Sequence, residues 1–370
     1  MTLLWLLFLP AIAYQILSLI ACLRQFFRRA PRGDYFPPVS VLKPVHGIDP
    51  GMNDAFASHA FQDYPNFEIL FGVSDDSDPA IPAIERLQQE SRGVAIRLIV
   101  GSLPAANGKV GVLANLARHA ANPVWVVNDS DISVTPEYLW DVVAPLRNLG
   151  VGVVTCLYRP EPYSAAAAWE AFGIAIDFMP STLVAPLVGV REFGLGSTLA
   201  FHADDLMDVG GFEALSDYLA DDYQLAKRIT TLGKFPYLST YVVETSLGDK
   251  DWAGTWQHQL RWARTIRASK GAGYLGLPIT HAGIWAVLAS FLQLWPVVGV
   301  LLALRIAAAL ASGWLVLRLR PSALWAAIAP LWDLYAFGIW VASHFSNEVR
   351  WRDRRMKITR DGRIVDREQA

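Results

Sequence analysis

An α/β domain on a mostly parallel, Rossmann-like sheet, held between N- and C-terminal transmembrane helices, is the architecture this sequence predicts. Three observations predict it. Hydrophobic residues make up 53% of the 370 residues and crowd into the two ends of the chain. Between positions 39 and 157, short β-branched runs alternate with helical stretches, the βαβα pattern of a sheet covered on both faces. The clearest strand, Val124-Trp125-Val126-Val127, runs into Asn128-Asp129-Ser130-Asp131. Open α/β sheets bind their ligands at that end of a strand.

Taken in order, residues 3–23 form a charge-free run of 21 residues, long enough to span a bilayer. Pro10 is expected to kink this helix without breaking it. Its basic residues come afterwards, at Arg24, Arg28, Arg29 and Arg32. That order argues against a cleaved signal peptide and, by the positive-inside rule, leaves the chain that follows in the cytosol. A linker over 34–38 leads to strands predicted at 39–42, 67–73, 95–100, 124–127 and 152–157. Helices are predicted at 79–90, 110–120, 136–149 and 252–270.

Residues 165–190 are almost wholly apolar, interrupted by Glu170, Asp177 and Pro180. Two readings stay open: a cover for the sheet, or an interfacial element lining the entry of a lipid. Further apolar blocks lie at 279–304, 306–319 and 324–345, the last holding Pro330 and Asp333. From Glu348 onward, eight Lys/Arg stand against five Asp/Glu, a cytosolic tail. Cytosol to cytosol requires an even number of crossings, so 306–319, at 14 residues, is expected to be re-entrant or interfacial. The expected units are an anchor (1–33), a cytosolic domain (34–271), membrane segments (272–347) and a basic tail (348–370).

Net charge is −2, which supplies no basic field for nucleic acid. Cys22 and Cys156 lack metal-ligand spacing and form no disulfide framework, in keeping with a reducing compartment.

Chemistry concentrates where strands and helices end. Asp129 and Asp131 offer hard oxygen ligands suited to Mg²⁺ or Mn²⁺ that already carries a diphosphate; the alternative is a solvated turn. The second strand ends in Ser74-Asp75-Asp76-Ser77-Asp78, so two strands contribute carboxylates to one crevice, although one acid there suffices as a helix cap. Gly194-Leu195-Gly196 permits close backbone approach but has neither a P-loop lysine nor a dinucleotide fingerprint. Asp221-Asp222 opens a helix, where acids complement the macrodipole or serve as a general base. On the 252–270 helix, His258 and Arg261 share a face beside Trp262, a cationic and aromatic surface for a diphosphate. Arg264 and Arg267 fit that surface or anionic lipid equally well.

The order Asp75/Asp76/Asp78, Asp129-Ser130-Asp131, Asp221-Asp222, His258-Gln259-Leu260-Arg261-Trp262 resembles the family 2 and family 21 glycosyltransferases. The resemblance is closest to family 21, which holds the ceramide glucosyltransferases and the bacterial hopanoid-biosynthesis glycosyltransferases. Pro37-Pro38-Val39-Ser40-Val41-Leu42-Lys43-Pro44, Gln62-Asp63-Tyr64-Pro65 and Tyr218-Leu219-Ala220-Asp221-Asp222-Tyr223 carry it further. It implies a GT-A fold, a UDP-sugar donor, a divalent metal (Mg²⁺ or Mn²⁺) and inversion at the anomeric carbon.

The same resemblance implies roles. Asp75, Asp76, Asp78 and Lys109 would meet the donor, and Asp129 and Asp131 the metal and diphosphate. Asp222 would be the base. Arg261, Trp262 and His258 would contact the leaving group, with Asp221, Gly196 and Trp169 toward the acceptor. The family has Gln or Arg where this chain has His258. Asp131 is often missing from ceramide glucosyltransferases, and its presence leans toward the hopanoid branch.

The expected function is therefore transfer of N-acetylglucosamine from UDP-GlcNAc to a hopanoid polyol (bacteriohopanetetrol), at the cytosolic face of a bacterial inner membrane. Glucose transfer to ceramide is the runner-up. A polysaccharide synthase and a non-catalytic membrane scaffold are the remaining readings.

Overall fold

The computed structural model describes residues 2–31, 33–91, 93–319, 325–351 and 354–365. The β-branched runs become β1 (Val39–Pro44), β2 (Phe67–Val73), β3 (Ala95–Val100) and β4 (Val124–Val127). These pair in parallel in the spatial order β3-β2-β1-β4. The chain builds outward from β1 to β3, then returns to the other side of β1. The crevice between β1 and β4 is thus the topological switch point, where open sheets receive ligands.

Alternate side chains of these strands enter opposite layers. Val41, Ile69, Phe71 and Val126 join one apolar cluster, whereas Leu42, Leu70, Trp125 and Val127 join the other. Both faces are covered, which is why the strands read as unbroken apolar runs.

The second half of the sheet is mixed. β5 (Ile132–Ser133), β6 (Val151–Glu161), β7 (Leu199–His202) and β8 (Phe235–Ser246) extend it in the order β4-β7-β6-β8-β5. β7 runs antiparallel to both β4 and β6, and β6 pairs in parallel with β8. Neither β7, β8 nor the helix Met52–Ala60 is apparent in the sequence pattern. The predicted 136–149 helix is an α-helical Tyr138–Val143 continued by a 3₁₀ turn, Ala144–Arg147.

Four helices are long and apolar enough to cross a membrane among the described residues: Leu4–Phe27, Ala165–Val188, Trp295–Val316 and Ala326–Ser343. Within the first, Pro10 sits where the 3₁₀ turn Thr2–Phe8 passes into the α-helix Leu9–Phe27, in that helix's opening turn, where its missing N–H is tolerated. Arg28 closes that helix against the sheet domain, donating to Leu238 O at 2.9 Å and lying over the Tyr237 ring.

The expectation for 279–304 and 306–319 is corrected. No single span covers 279–304. The chain forms a short helix, Ala282–Phe291, turns at Gln293 with φ 56°, and restarts at Trp295. Pro296, in the first turn, starts the second helix, which continues past 306 to Val316. The short element is therefore 282–291, and 306–316 belongs to a full-length apolar helix. The predicted start of the last span at 324 lies outside the described residues.

Residues 165–188 do cover the sheet: Ala167, Phe172, Ile174, Ile176 and Met179 join its main apolar cluster. The same helix packs against the membrane helices so closely that a Cβ on Gly173 would meet the Trp332 ring at 1.8 Å. Arg305 fastens the layers. Its guanidinium bonds both Asp333 oxygens (2.7–3.0 Å) and the Ile176 carbonyl (2.7 Å), and Asp333 also accepts from Gly283 N.

Over its described residues the basic tail is structured. β9 (Glu348–Trp351), β10 (Arg354–Ile358) and β11 (Ile364–Val365) form an antiparallel sheet. It folds back on Leu219, whose N–H bonds Gly362 O at 3.2 Å. Arg264 and Arg267 donate to carbonyls of Glu348, Ser343 and Ser346, anchoring the end of the last apolar helix to the 252–270 helix. These protein contacts occupy both arginines, which the sequence left between ligand and lipid.

Candidate active site

A cleft of about 1970 Å³ opens at the switch point and collects Lys109, Asp129, Asp131, Gly196, Asp221, Asp222, His258, Arg261 and Trp262. Each arrives for a local reason. β4 ends at Val127, and the turn after it presents Asp129 and Asp131. Asn107 caps the helix Gly108–Ala117 by accepting from Lys109 N at 3.1 Å, which fixes Lys109 in the first turn. The helix Asp221–Thr230 begins with the acid pair and ends with Lys227 and Arg228, charges that suit its dipole at both ends.

Lys109 Nζ lies 2.7 Å from Asp129 Oδ1 and 3.1 Å from Asp221 Oδ2. Burial opposes its charge, but Asp129 and Asp221 outweigh that and raise its pKa. Asp222 is clasped from the backbone: Gly196 N–H donates to Oδ2 at 2.9 Å and Tyr223 N–H to Oδ1 at 2.7 Å. Desolvation, reinforced by the Asp221 carboxylate, pushes the Asp222 carboxyl up to about 6. Asp131 is likewise pushed up to about 6 by desolvation and the Asp129 charge, even though Thr245 Oγ1 donates to it at 2.6 Å.

Gly196 is required by this geometry. A Cβ there would stand 3.0 Å from Asp129 Oδ2 and 3.5 Å from Asp222 Oδ2, inside the space the two acids share.

The 252–270 helix forms as predicted, Trp252–Lys270, with Asp251 capping it through Gly254 N at 2.7 Å. His258 is tied to Glu170, which is fully buried and also receives Lys250 Nζ at 3.3 Å and Gln259 Nε2 at 2.9 Å. Burial lowers the His258 pKa, while Glu170 pulls it back up. Arg261, one turn on, is buried enough to lower its pKa and is held charged by Glu170, Asp129 and Asp222. Trp262 packs on His258 and Phe178, with ring centroids 4.9 and 5.4 Å apart.

Four predicted residues lie apart from this lining. Asp75 and Asp76 are exposed just beyond Ser74, which does line the cleft, and Asp75 is bonded to Ser77. Asp78 is buried and accepts from Gly47 N and Ala80 N at 3.1 and 2.9 Å, so it braces the loop that walls the cleft. Trp169 stacks in an aromatic group with Phe172, Trp332 and Tyr335, behind the lining.

Sequence reasoning missed two charges. Lys43, the one charge in β1, is buried and donates to Asp129 O at 3.1 Å, and burial lowers its pKa to about 7. Its signal was a lysine inside an apolar strand. Glu170 was noticed only as a break in an apolar run. Cys22 and Cys156 are free and buried, as expected.

The donor set fits a divalent cation. Asp129 and Asp131 present hard oxygens close enough for one to raise the pKa of the other. Among the described residues no group of three or more His, Cys, Asp or Glu converges on a point. Mg²⁺ in particular is held by one or two carboxylates together with substrate phosphates, so a two-acid set is what such an ion takes.

Comparisons with known proteins agree with this architecture. A family model described as Glycosyl transferase family 21 matches residues 3–364. Ceramide glucosyltransferase 1 of Caenorhabditis elegans is 27% identical over 209 residues, 55% of this chain and 44% of the relative. Ceramide glucosyltransferase 3 of the same organism is 24% identical over 221 residues, 55% of this chain and 45% of the relative. These matches span less than half the length of either relative. A mannosyltransferase of Pyrobaculum calidifontis, solved with GDP-mannose and Mn²⁺, superposes with a TM-score of 0.56 at 21% identity, covering 90% of this chain and 96% of its own. That likeness establishes the GT-A type of fold.

Proposed function

The chain belongs to glycosyl transferase family 21, and on that premise we propose that it moves a sugar from a UDP donor to a hydroxyl of a membrane lipid, with inversion. The observation that carries this reading is Asp222: a carboxylate oriented by two backbone N–H groups, pushed up to about 6, at the floor of a cleft. A base with that pKa is ionised at neutral pH and still basic enough to take the proton of an attacking hydroxyl.

The surrounding residues divide the remaining work. Asp129 and Asp131 would hold the divalent cation, Mg²⁺ or Mn²⁺, which when bound neutralises charge on the departing diphosphate. Arg261 adds a guanidinium whose charge Glu170, Asp129 and Asp222 favour, and Trp262, packed on His258 and Phe178, adds an aromatic face beside it. Lys109 ties Asp129 to Asp221, so the donor-side and base-side acids keep a fixed spacing. Asp75 and Asp76, exposed beside Ser74 of the cleft, would meet the nucleoside, and Asp78 braces the loop next to them. The Glu170–His258–Gln259 cluster positions the helix that bears Arg261 and Trp262. The four apolar helices support a membrane protein, and the arginines that follow the first of them support a site on the cytosolic face.

Two donor–acceptor pairs fit. The named relatives, ceramide glucosyltransferases, favour glucose as the sugar and ceramide as the acceptor. The intact Asp131 favours UDP-GlcNAc and a hopanoid polyol. Full-length protein in liposomes with Mg²⁺ or Mn²⁺, each donor crossed against each lipid, tests both. UDP release that depends on one lipid, with the glycosylated lipid detected by mass, is the expected result. Donor binding without release under every pairing would instead favour a scaffold.

A further inference from the structure

We propose that the cleft continues into a second subsite, formed by Asp177, Ser181, Thr182 and His281, which takes an uncharged lipid headgroup bearing hydroxyl or amide N–H donors. The inference rests on the lipid-acceptor reading above and adds the class of headgroup and the residues that select it.

The cleft that holds Asp129 and Asp222 is also lined by these four residues, so base and subsite share one continuous space. Asp177 and Ser181 lie on the apolar helix Ala165–Val188, where a polar side chain needs a hydrogen-bonding partner. His281 precedes the helix Ala282–Phe291 without its side chain capping it, and is only 1% exposed. Its Nε2 stands 3.5 Å from Asp177 Oδ2, and among the described residues neither ring nitrogen completes a hydrogen bond. Such a group, buried and facing a cavity, is poised for a partner that arrives from outside the chain.

A neighbouring cluster shows what the satisfied arrangement looks like. Arg305 and Asp333 lie deeper and close on each other, on Ile176 O and on Gly283 N. That pair holds helices together. Asp177 is different: Trp332 Nε1 donates to it at 3.1 Å, and its remaining acceptor capacity faces the cleft. Ser181 is bridged to Tyr14 of the first helix at 2.7 Å, which fixes the far wall.

The chemistry of the lining selects its ligand. An ionised carboxylate only accepts hydrogen bonds, so it takes hydroxyl and amide N–H groups. It repels phosphate, and the phospholipids that surround the protein in excess are thereby turned away. Phe178, next to Asp177, packs on Trp262, so a headgroup seated here lies against the helix that carries Arg261.

The test uses full-length protein in phosphatidylcholine nanodiscs, with ceramide and a hopanoid polyol as probe acceptors and both UDP-sugars. Asp177→Asn and His281→Phe are each expected to raise the acceptor KM tenfold or more while moving the donor KM less than twofold. Diacylglycerol, whose single hydroxyl is the one that would be glycosylated and which has no second hydroxyl or amide N–H to offer Asp177, is expected to show the same KM with native protein and with Asp177→Asn. An acceptor KM within twofold of native in both variants overturns the subsite, as does a parallel rise in donor KM, which marks a merely structural role. If native protein releases UDP with neither lipid, the lipid-acceptor reading itself fails and the subsite falls with it.

Discussion

Replacing Asp222 by Asn removes one proton-accepting oxygen and changes almost no volume. Positioned general bases contribute about 10²–10⁴-fold, so kcat should fall by that factor, a barrier increase of about 2.7–5.4 kcal/mol. Donor KM should stay within about twofold, because general-base catalysis acts on the transition state and the donor is held by other groups. The pH profile gives an independent readout. In the native enzyme the rate should climb as pH rises through about 6, since desolvation and Asp221 raise the Asp222 pKa to that value and only the ionised form is a base. In the variant that limb should vanish.

Stability carries the opposite sign. A raised folded-state pKa favours folding below the ordinary carboxylate value, and that contribution is lost as pH rises through about 6. The amide also has a single oxygen for two N–H donors, Gly196 and Tyr223. One donor is left without an acceptor, which costs roughly 1–3 kcal/mol and should appear as a lower Tm. Single-turnover transfer, donor titration and a thermal melt on the same preparation measure all three effects. Donor affinity falling by the same factor as kcat, or an acid limb that survives in the Asn variant, would refute the assignment of Asp222 as the base.

Further perturbations probe the rest of the site. Asp129→Ala should abolish the metal-dependent part of donor binding, so that its calorimetric affinity is the same with and without EDTA. Gly196→Ala should cost on the order of 10–100-fold in kcat, because its methyl enters the space between Asp129 and Asp222, while circular dichroism stays native. Arg305→Leu should destabilise the detergent-solubilised protein by about 3–5 kcal/mol by stranding buried Asp333, and Arg305→Met with Asp333→Leu should recover most of that loss.

Much of the soluble fold was legible because its signals are local. β2 and β3 and the Trp252–Lys270 helix occur at the predicted residues, as β-branched runs and a capped periodic stretch require. β7 and β8 were not legible. Leu199–His202 is only four residues long, and Phe235–Ser246 carries Pro236, Ser239, Thr240 and Tyr241 rather than an apolar run. Their pairing is set by neighbours far along the chain. In the membrane region, hydropathy counts apolar residues but not turns, so the break at Gln293 was hidden inside one apolar block, with Pro296 as its only trace.

The acids of the candidate site were legible by type and position, since carboxylates at strand and helix ends have few ordinary uses together. Their partners were not. Glu170 meets His258 across 88 positions, and Lys43 reaches Asp129 O across 86. Only the folded chain brings such pairs together.

The central claim is a single displacement in which Asp222 deprotonates a lipid hydroxyl. The most direct test is the anomeric configuration of the glycolipid made by purified full-length protein, read by the proton coupling constant at the sugar's anomeric carbon. UDP-glucose and UDP-GlcNAc carry α-linked sugars, so a single displacement gives a β-linked product. An α-linked product would require two displacements or a front-side path, and would contradict it.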